Sequence, residues 1–155
     1  MNFLKVILIF FFVSLFFTNC AKKEKTSLIV EEDVESQMIR AFKEGYKEFE
    51  EGDNLYAAQK FNEAELLFPQ SSWAPKAALM AAYVYYAQDY YFDAEAELKR
   101  FIKTYPKNPD MPYAHFLLAM CYYEKIVDEK KDLGPLLRAQ EKFNFIIKNY
   151  PESDY

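Results

Sequence analysis

From about residue 36 onward, apolar side chains return every three or four positions, the spacing of one face of an α-helix. Ile39, Phe42, Tyr46 and Phe49 form the first such stripe, with Glu44, Glu48 and Glu51 opposite, and Gly52-Asp53-Asn54 breaks it. A second stripe, Ala57, Phe61 and Ala64, stops before Pro69. The order then repeats. Pro75 stands near a helix start, followed by Ala78, Ala82 and Tyr85, a break near Asp89, then Ala94, Leu98, Phe101 and Pro106. It repeats again with Pro112, Ala119, Tyr122, Ala139, Phe143, Ile146 and Pro151. Three phrases close the second helices: AELLFP at 64–69, FIKTYP at 101–106 and IIKNYP at 146–151. The pattern predicts an all-α chain of helical hairpins.

Pro69 to Pro106 is 37 residues, as is Pro75 to Pro112. The third unit is longer by about eight, and its surplus lies in VDEKKDLGP between its two helices. This period, with two helices per unit and a closing proline, resembles the tetratricopeptide repeat. The resemblance implies about three repeats, at 37–70, 71–107 and 108–151, within a right-handed solenoid spanning 37–155. Gly45, Ala82 and Ala119 are small enough for paired helices to approach closely, as are Ala57, Ala94 and Ala139 on the second helices. The prolines end each second helix, because they lack an N–H and disfavour helix in the preceding residue. Phe68, Tyr105 and Tyr150, just ahead of them, are expected to fold back over the helix they follow. The first repeat is irregular, with Glu44 and Glu48 where large apolar residues are expected, as a terminal repeat tolerates.

The first 20 residues, MNFLKVILIFFFVSLFFTNC, follow another rule. Lys5 precedes an apolar stretch from Val6 to Phe17, broken only by Ser14. Twelve residues are short of the roughly 20 that cross a bilayer as a helix, so the segment reads as an export signal over 1–19. The run closes on Cys20 and turns abruptly to AKKEKTS. A cysteine at that junction resembles the lipobox of bacterial lipoproteins, although Phe17 and Asn19 replace the usual Leu-like and small residues. The resemblance implies acylation of Cys20, stable because several acyl chains anchor where one does not. Ala21 after the cysteine implies the outer membrane by the same resemblance, with residues 20–36 as a tether on the periplasmic face. Cys121 then has no intrachain partner, so an oxidising compartment presents no difficulty.

Composition narrows the job. The chain is 52% hydrophobic and 28% charged, a globular balance, and its net charge of −5 argues against a nucleic-acid partner. Runs such as KKEK at 22–25 and EKKD at 129–132 read as solvated surface. The single histidine, His115, reads as a packed side chain between Tyr113 and Phe116 and lacks a partner at zinc-ligand spacing. Three unclustered glycines form no phosphate loop, no serine sits in a nucleophile elbow, and carboxylates fall at solvent-face spacing. No catalytic residue, metal ligand or cofactor is indicated; the chain reads as a binder.

In a tetratricopeptide array the first helices line the concave face, which implies three columns here: Phe42, Leu79 and Phe116; Tyr46, Tyr83 and Met120; Phe49, Tyr86 and Tyr123. Phe42, Tyr46 and Phe49 are expected to be core, since their helix has no other apolar face. Tyr83, Tyr86, Phe116, Met120 and Tyr123 are the candidates for a peptide groove, where amphipathic rings give contact area at low entropy cost. The stretch AAYVYYAQDYYFDAEAELKRFIKTYPKNPDMPYAHFLLAMCYY (81–123), then AQEKFNFIIKNYPESDY (139–155), with the lipobox and the long third-unit loop, resembles the BamD family of outer-membrane β-barrel assembly lipoproteins. That resemblance implies a non-enzymatic subunit that receives unfolded barrel precursors and couples to the barrel subunit BamA. The alternative is another periplasmic repeat adaptor, of the Tol–Pal, cell-division-linked type. Those carry a coiled coil before their repeats, for which residues 21–36 leave too little room. Because PESDY resembles the opening of an inter-repeat linker and the family has five repeats, the chain is expected to be a C-terminally truncated piece of a longer product.

Overall fold

The computed structural model describes residues 32–127 and 132–155. The export signal, Cys20, most of the tether and the centre of the third-unit loop lie outside the described residues. Within the described residues six helices follow in order: α1 Val34–Glu51, α2 Asn54–Leu67, α3 Ala74–Ala87, α4 Tyr91–Thr104, α5 Met111–Glu124 and α6 Gly134–Asn149. Each packs on its neighbours in sequence, and α3 also touches α5, as stacked hairpins require. The fold is an all-α tetratricopeptide-like repeat array.

Local chemistry sets the helix ends. Asp33 caps α1 by accepting from the Ser36 amide at 3.0 Å, a contact that contributes about 1 kcal/mol. Gly52 ends α1 with φ 89°, a left-handed conformation that a Cβ would resist, and Asp53 caps α2 through the Tyr56 amide at 3.2 Å. Asp89 turns the second hairpin at φ 63°, where Asp is among the few tolerant side chains. Pro75, Pro112 and Pro135 occupy first turns, where no N–H is missed.

The seams between hairpins repeat one geometry. Phe68, Tyr105 and Tyr150 end their helices at φ/ψ of −141/71°, −120/53° and −135/55°. The following proline drives this departure, since its ring crowds the helical conformation of the residue before it. Each pre-proline carbonyl then accepts from the amide three residues on: Ser71 at 3.0 Å, Asn108 at 2.9 Å and Ser153 at 3.0 Å. The echoed phrases are therefore one corner used three times.

The core is built from small residues at close approach and a few large ones between. Ala57, Ala58, Ala78, Ala81, Ala82, Ala94 and Ala119 are fully buried around Phe61, Leu98, Phe101 and Leu118. At Gly45 a Cβ would lie 3.1 Å from both the Ala57 carbonyl oxygen and the Phe61 ring. Here α1 and α2 meet at backbone contact. This rotates α1 from the expected register. Its deepest stripe is Met38, Ala41 and Gly45, while Phe42 and Phe49 are half-buried and Tyr46 is 49% exposed. Tyr46 is thus not a core residue: close packing on Gly45 leaves it beyond the contact.

The seams also correct the expectation that carboxylates face solvent. Glu65 is buried and receives both terminal nitrogens of Arg100, at 2.8 and 2.7 Å, and the Tyr105 hydroxyl at 2.6 Å. Glu95 accepts from the Tyr122 hydroxyl at 3.1 Å and from Lys99 and Lys125. Both join one hairpin to the next. Tyr105 does fold back on Phe101, with ring centroids 5.4 Å apart, yet its hydroxyl reaches across the seam as well.

Candidate functional site

The first helices α1, α3 and α5 carry the aromatic surface. In the first unit the Phe42 ring meets Trp73 edge-on, centroids 5.2 Å apart. In the third unit the Phe116 ring meets Tyr155 at 5.4 Å. These pairs are in register, because Trp73 and Tyr155 occupy the same place after their corners, five residues past Phe68 and Tyr150. The middle unit has Leu79 and Asp110 at the equivalent positions. With no aromatic pair there, a cleft of about 440 Å³ opens between the two stacks. Leu79, Met80, Tyr83 and Tyr113 line it, Phe42 and Tyr155 close its ends, and Lys76 and Asp110 stand at its mouth. Burial and the neighbouring tyrosines push the Tyr113 hydroxyl up to about 12, so it stays protonated and can donate.

Of the five groove candidates, Tyr83 lines this cleft; it is half-buried, its ring 5.8 Å from Phe49. Phe116 stands behind its end wall, against Tyr155 and Phe143. Tyr86 is half-buried against Tyr91 at 5.7 Å, and burial, then the Glu124 carboxylate, raises its hydroxyl. Met120 is half-buried and Tyr123 is 55% exposed; neither lines the cleft. Lys76, Met80, Tyr113 and Tyr155 escaped the sequence reading. Lys76 and Tyr113 lie three residues before Leu79 and Phe116, so extending the columns by one helical turn would have found them.

His115 sits outside the cleft. It is 6% exposed, its ring 4.5 Å from Phe145, and burial followed by the Lys142 charge lowers its pKa, which keeps the imidazole neutral. Among the described residues no three His, Cys, Asp or Glu side chains gather as a metal-ion ligand set, and no helix is long and apolar enough to cross a membrane.

The arrangement offers an apolar trough with one cation and one carboxylate at its mouth, suited to a peptide side chain and its flanking charge. Comparison with known proteins gives the family of the chain. Residues 34–155 match the family model described as YfiO, outer membrane lipoprotein. The chain is 32% identical over 136 residues to the outer membrane protein assembly factor BamD of Caulobacter vibrioides, covering 88% of this chain and 44% of that protein. To BamD of Rickettsia prowazekii it is 28% identical over 123 residues, covering 79% of this chain and 49% of the relative. The corresponding values for Neisseria gonorrhoeae BamD are 25% over 126 residues, 75% and 47%. The chain spans just under half the length of these relatives. With the repeat architecture and the family match over 34–155, the chain belongs to the YfiO family of outer membrane lipoproteins.

Proposed function

We propose that this chain is a non-enzymatic part of the outer-membrane β-barrel assembly machinery, held at the periplasmic face by acylated Cys20. In this reading the aromatic cleft receives unfolded barrel precursors, a BamA-like subunit, or both in turn. The relatives' shared description as outer membrane protein assembly factors supports the process. One observation carries the site. The segment after α6 lays the Tyr155 ring against Tyr113 and Phe116, with centroids 5.1 and 5.4 Å apart. The trough is thereby walled by aromatic faces on which a further ring can pack. A precursor segment ending in an aromatic residue would present a similar ring, and Lys76 at the mouth would meet its terminal carboxylate.

Photo-crosslinking tests this reading. A crosslinker at Tyr83 or Met80 is expected to capture a peptide ending in Phe, whereas one at exposed Gln59 on α2 is not. Burying one large aromatic contributes roughly 1.5–3 kcal/mol, so Tyr83→Ala should weaken the peptide about tenfold or more. Equal capture from Gln59, or unchanged affinity in a folded Tyr83→Ala variant, would remove the cleft from the proposal.

A further inference from the structure

A second cleft, of about 400 Å³, lies where α4, the end of α5 and α6 meet. Its walls are Phe92, Glu95, Ala96, Lys99, Lys125 and Arg138, none of which lines the aromatic cleft. We propose that it is a docking site for an acidic protein segment that also carries an apolar side chain.

The charge arrangement is the first ground. Three cations surround the single ring of Tyr122: Lys99 Nζ at 5.8 Å, Lys125 Nζ at 5.0 Å and Arg138 Cζ at 5.3 Å from its centroid. Glu95 is the one carboxylate among the lining residues, and it accepts from Lys99 at 2.5 Å and from Lys125. The lining therefore carries two positive charges in surplus on a chain whose net charge is −5. Lys99 and Lys125 are held both by the ring and by half-buried Glu95, and Arg138 by the ring. A partner carboxylate then gains charge-assisted hydrogen bonds without first ordering long side chains.

The second ground is apolar. Phe92 is 77% exposed at the rim of these cations, with Lys125 Nζ 4.6 Å from its ring centroid. It belongs to a row. Leu55, Phe92 and Leu137 each stand two residues before a buried alanine of the second helices, Ala57, Ala94 and Ala139. Leu55 and Leu137 are each 57% exposed. A scattered exposed apolar residue is ordinary, but here the same register is exposed in all three units. Charge and row together match a segment in which Asp or Glu alternates with Leu or Phe. A lipid headgroup layer fits less well, because Glu95 stands among the cations and would face the phosphates.

The test uses a short, N-acetylated peptide alternating Glu with Leu and Phe, and a counterpart with Gln for every Glu. Binding to the full chain is followed by fluorescence anisotropy at low and high salt. The acidic peptide is expected to bind and to weaken with salt, and the Gln peptide to bind at least tenfold more weakly. Arg138→Gln and Phe92→Ser, both at solvent-facing positions, should each lower affinity severalfold to tenfold with the circular dichroism melt unchanged. Tyr83→Ala should leave it intact, which separates this site from the aromatic cleft. Equal binding of the Gln peptide, or full affinity in both variants, would overturn the proposal. So would binding to phosphatidylglycerol vesicles that depends on Arg138 and ignores Phe92, since that would assign the cations to lipid.

Discussion

Glu65 on α2 and Arg100 on α4 form a two-point ion pair across the first seam, 35 positions apart in sequence, with nitrogen–oxygen distances of 2.8 and 2.7 Å. The Glu65 side chain is 7% exposed, and the Arg100 side chain is 41% exposed. Removing the cation strands a carboxylate that burial has already cut off from water. Arg100→Ala is expected to destabilise the chain by roughly 2–4 kcal/mol, reduced from the fully buried case because Arg100 retains solvent contact. The double change Glu65→Leu, Arg100→Met should cost less than Arg100→Ala alone. Urea denaturation of the three proteins makes the comparison, and a double variant weaker than the single one would contradict it.

The second seam responds to acid. Burial by itself would raise the Glu95 carboxyl, but hydrogen bonds from Lys125, Lys99 and Tyr122 outweigh it and hold the group at about 2, against an ordinary value of 4.5. A carboxyl depressed in the folded state binds fewer protons there than in the unfolded chain. Its stabilisation is present above about pH 4.5 and fades as pH falls toward 2, on the order of 3 kcal/mol at most. Denaturation midpoints across that window should fall more steeply for the wild type than for Glu95→Gln. Parallel curves would show that Glu95 does not couple to folding.

Gly45 is where helix preference and packing oppose each other. Alanine would favour the helix by about 1 kcal/mol, yet its Cβ would meet the Ala57 carbonyl oxygen at 3.1 Å, a backbone atom with little freedom to retreat. Gly45→Ala is expected to lower stability by roughly 1–3 kcal/mol, read as a lower melting temperature. A higher melting temperature would mean that α1 and α2 separate without cost.

Acylation at Cys20 belongs to the proposed anchor. Cells fed a clickable fatty acid should label the wild type and not Cys20→Ser, and the unlabelled variant should leave the membrane fraction. Equal labelling would detach the anchor from the proposal.

The hairpins were legible in the sequence because their causes are local. A proline acts on the residue before it, Gly52 on its own φ, and the alanine spacing on adjacent turns. Glu65 was not legible, since AELLFP gives no sign that a guanidinium 35 residues away will cover it. Tyr46 failed for a related reason: the apolar stripe on α1 was visible, but the rotation imposed by Gly45 against Phe61 depends on the partner helix. The cleft was half legible. Tyr83 lay in the groove register, while the gap itself arises from what the middle unit lacks beside Phe42–Trp73 and Phe116–Tyr155.

The recurring pre-proline corner makes the array divisible. Because Phe68, Tyr105 and Tyr150 turn the chain through nearly the same angles with the same following hydrogen bond, the corners are interchangeable cut points. Removing residues 69–105 would join Phe68 to Pro106 and recreate an intact aromatic–proline junction. Removing a single helix with its linker would leave no such junction at the splice. Such a lineage can lengthen or shorten by whole hairpins while its backbone geometry stays in phase, and what must be rebuilt at each splice is the side-chain clamp, as Glu65 would show on losing Arg100.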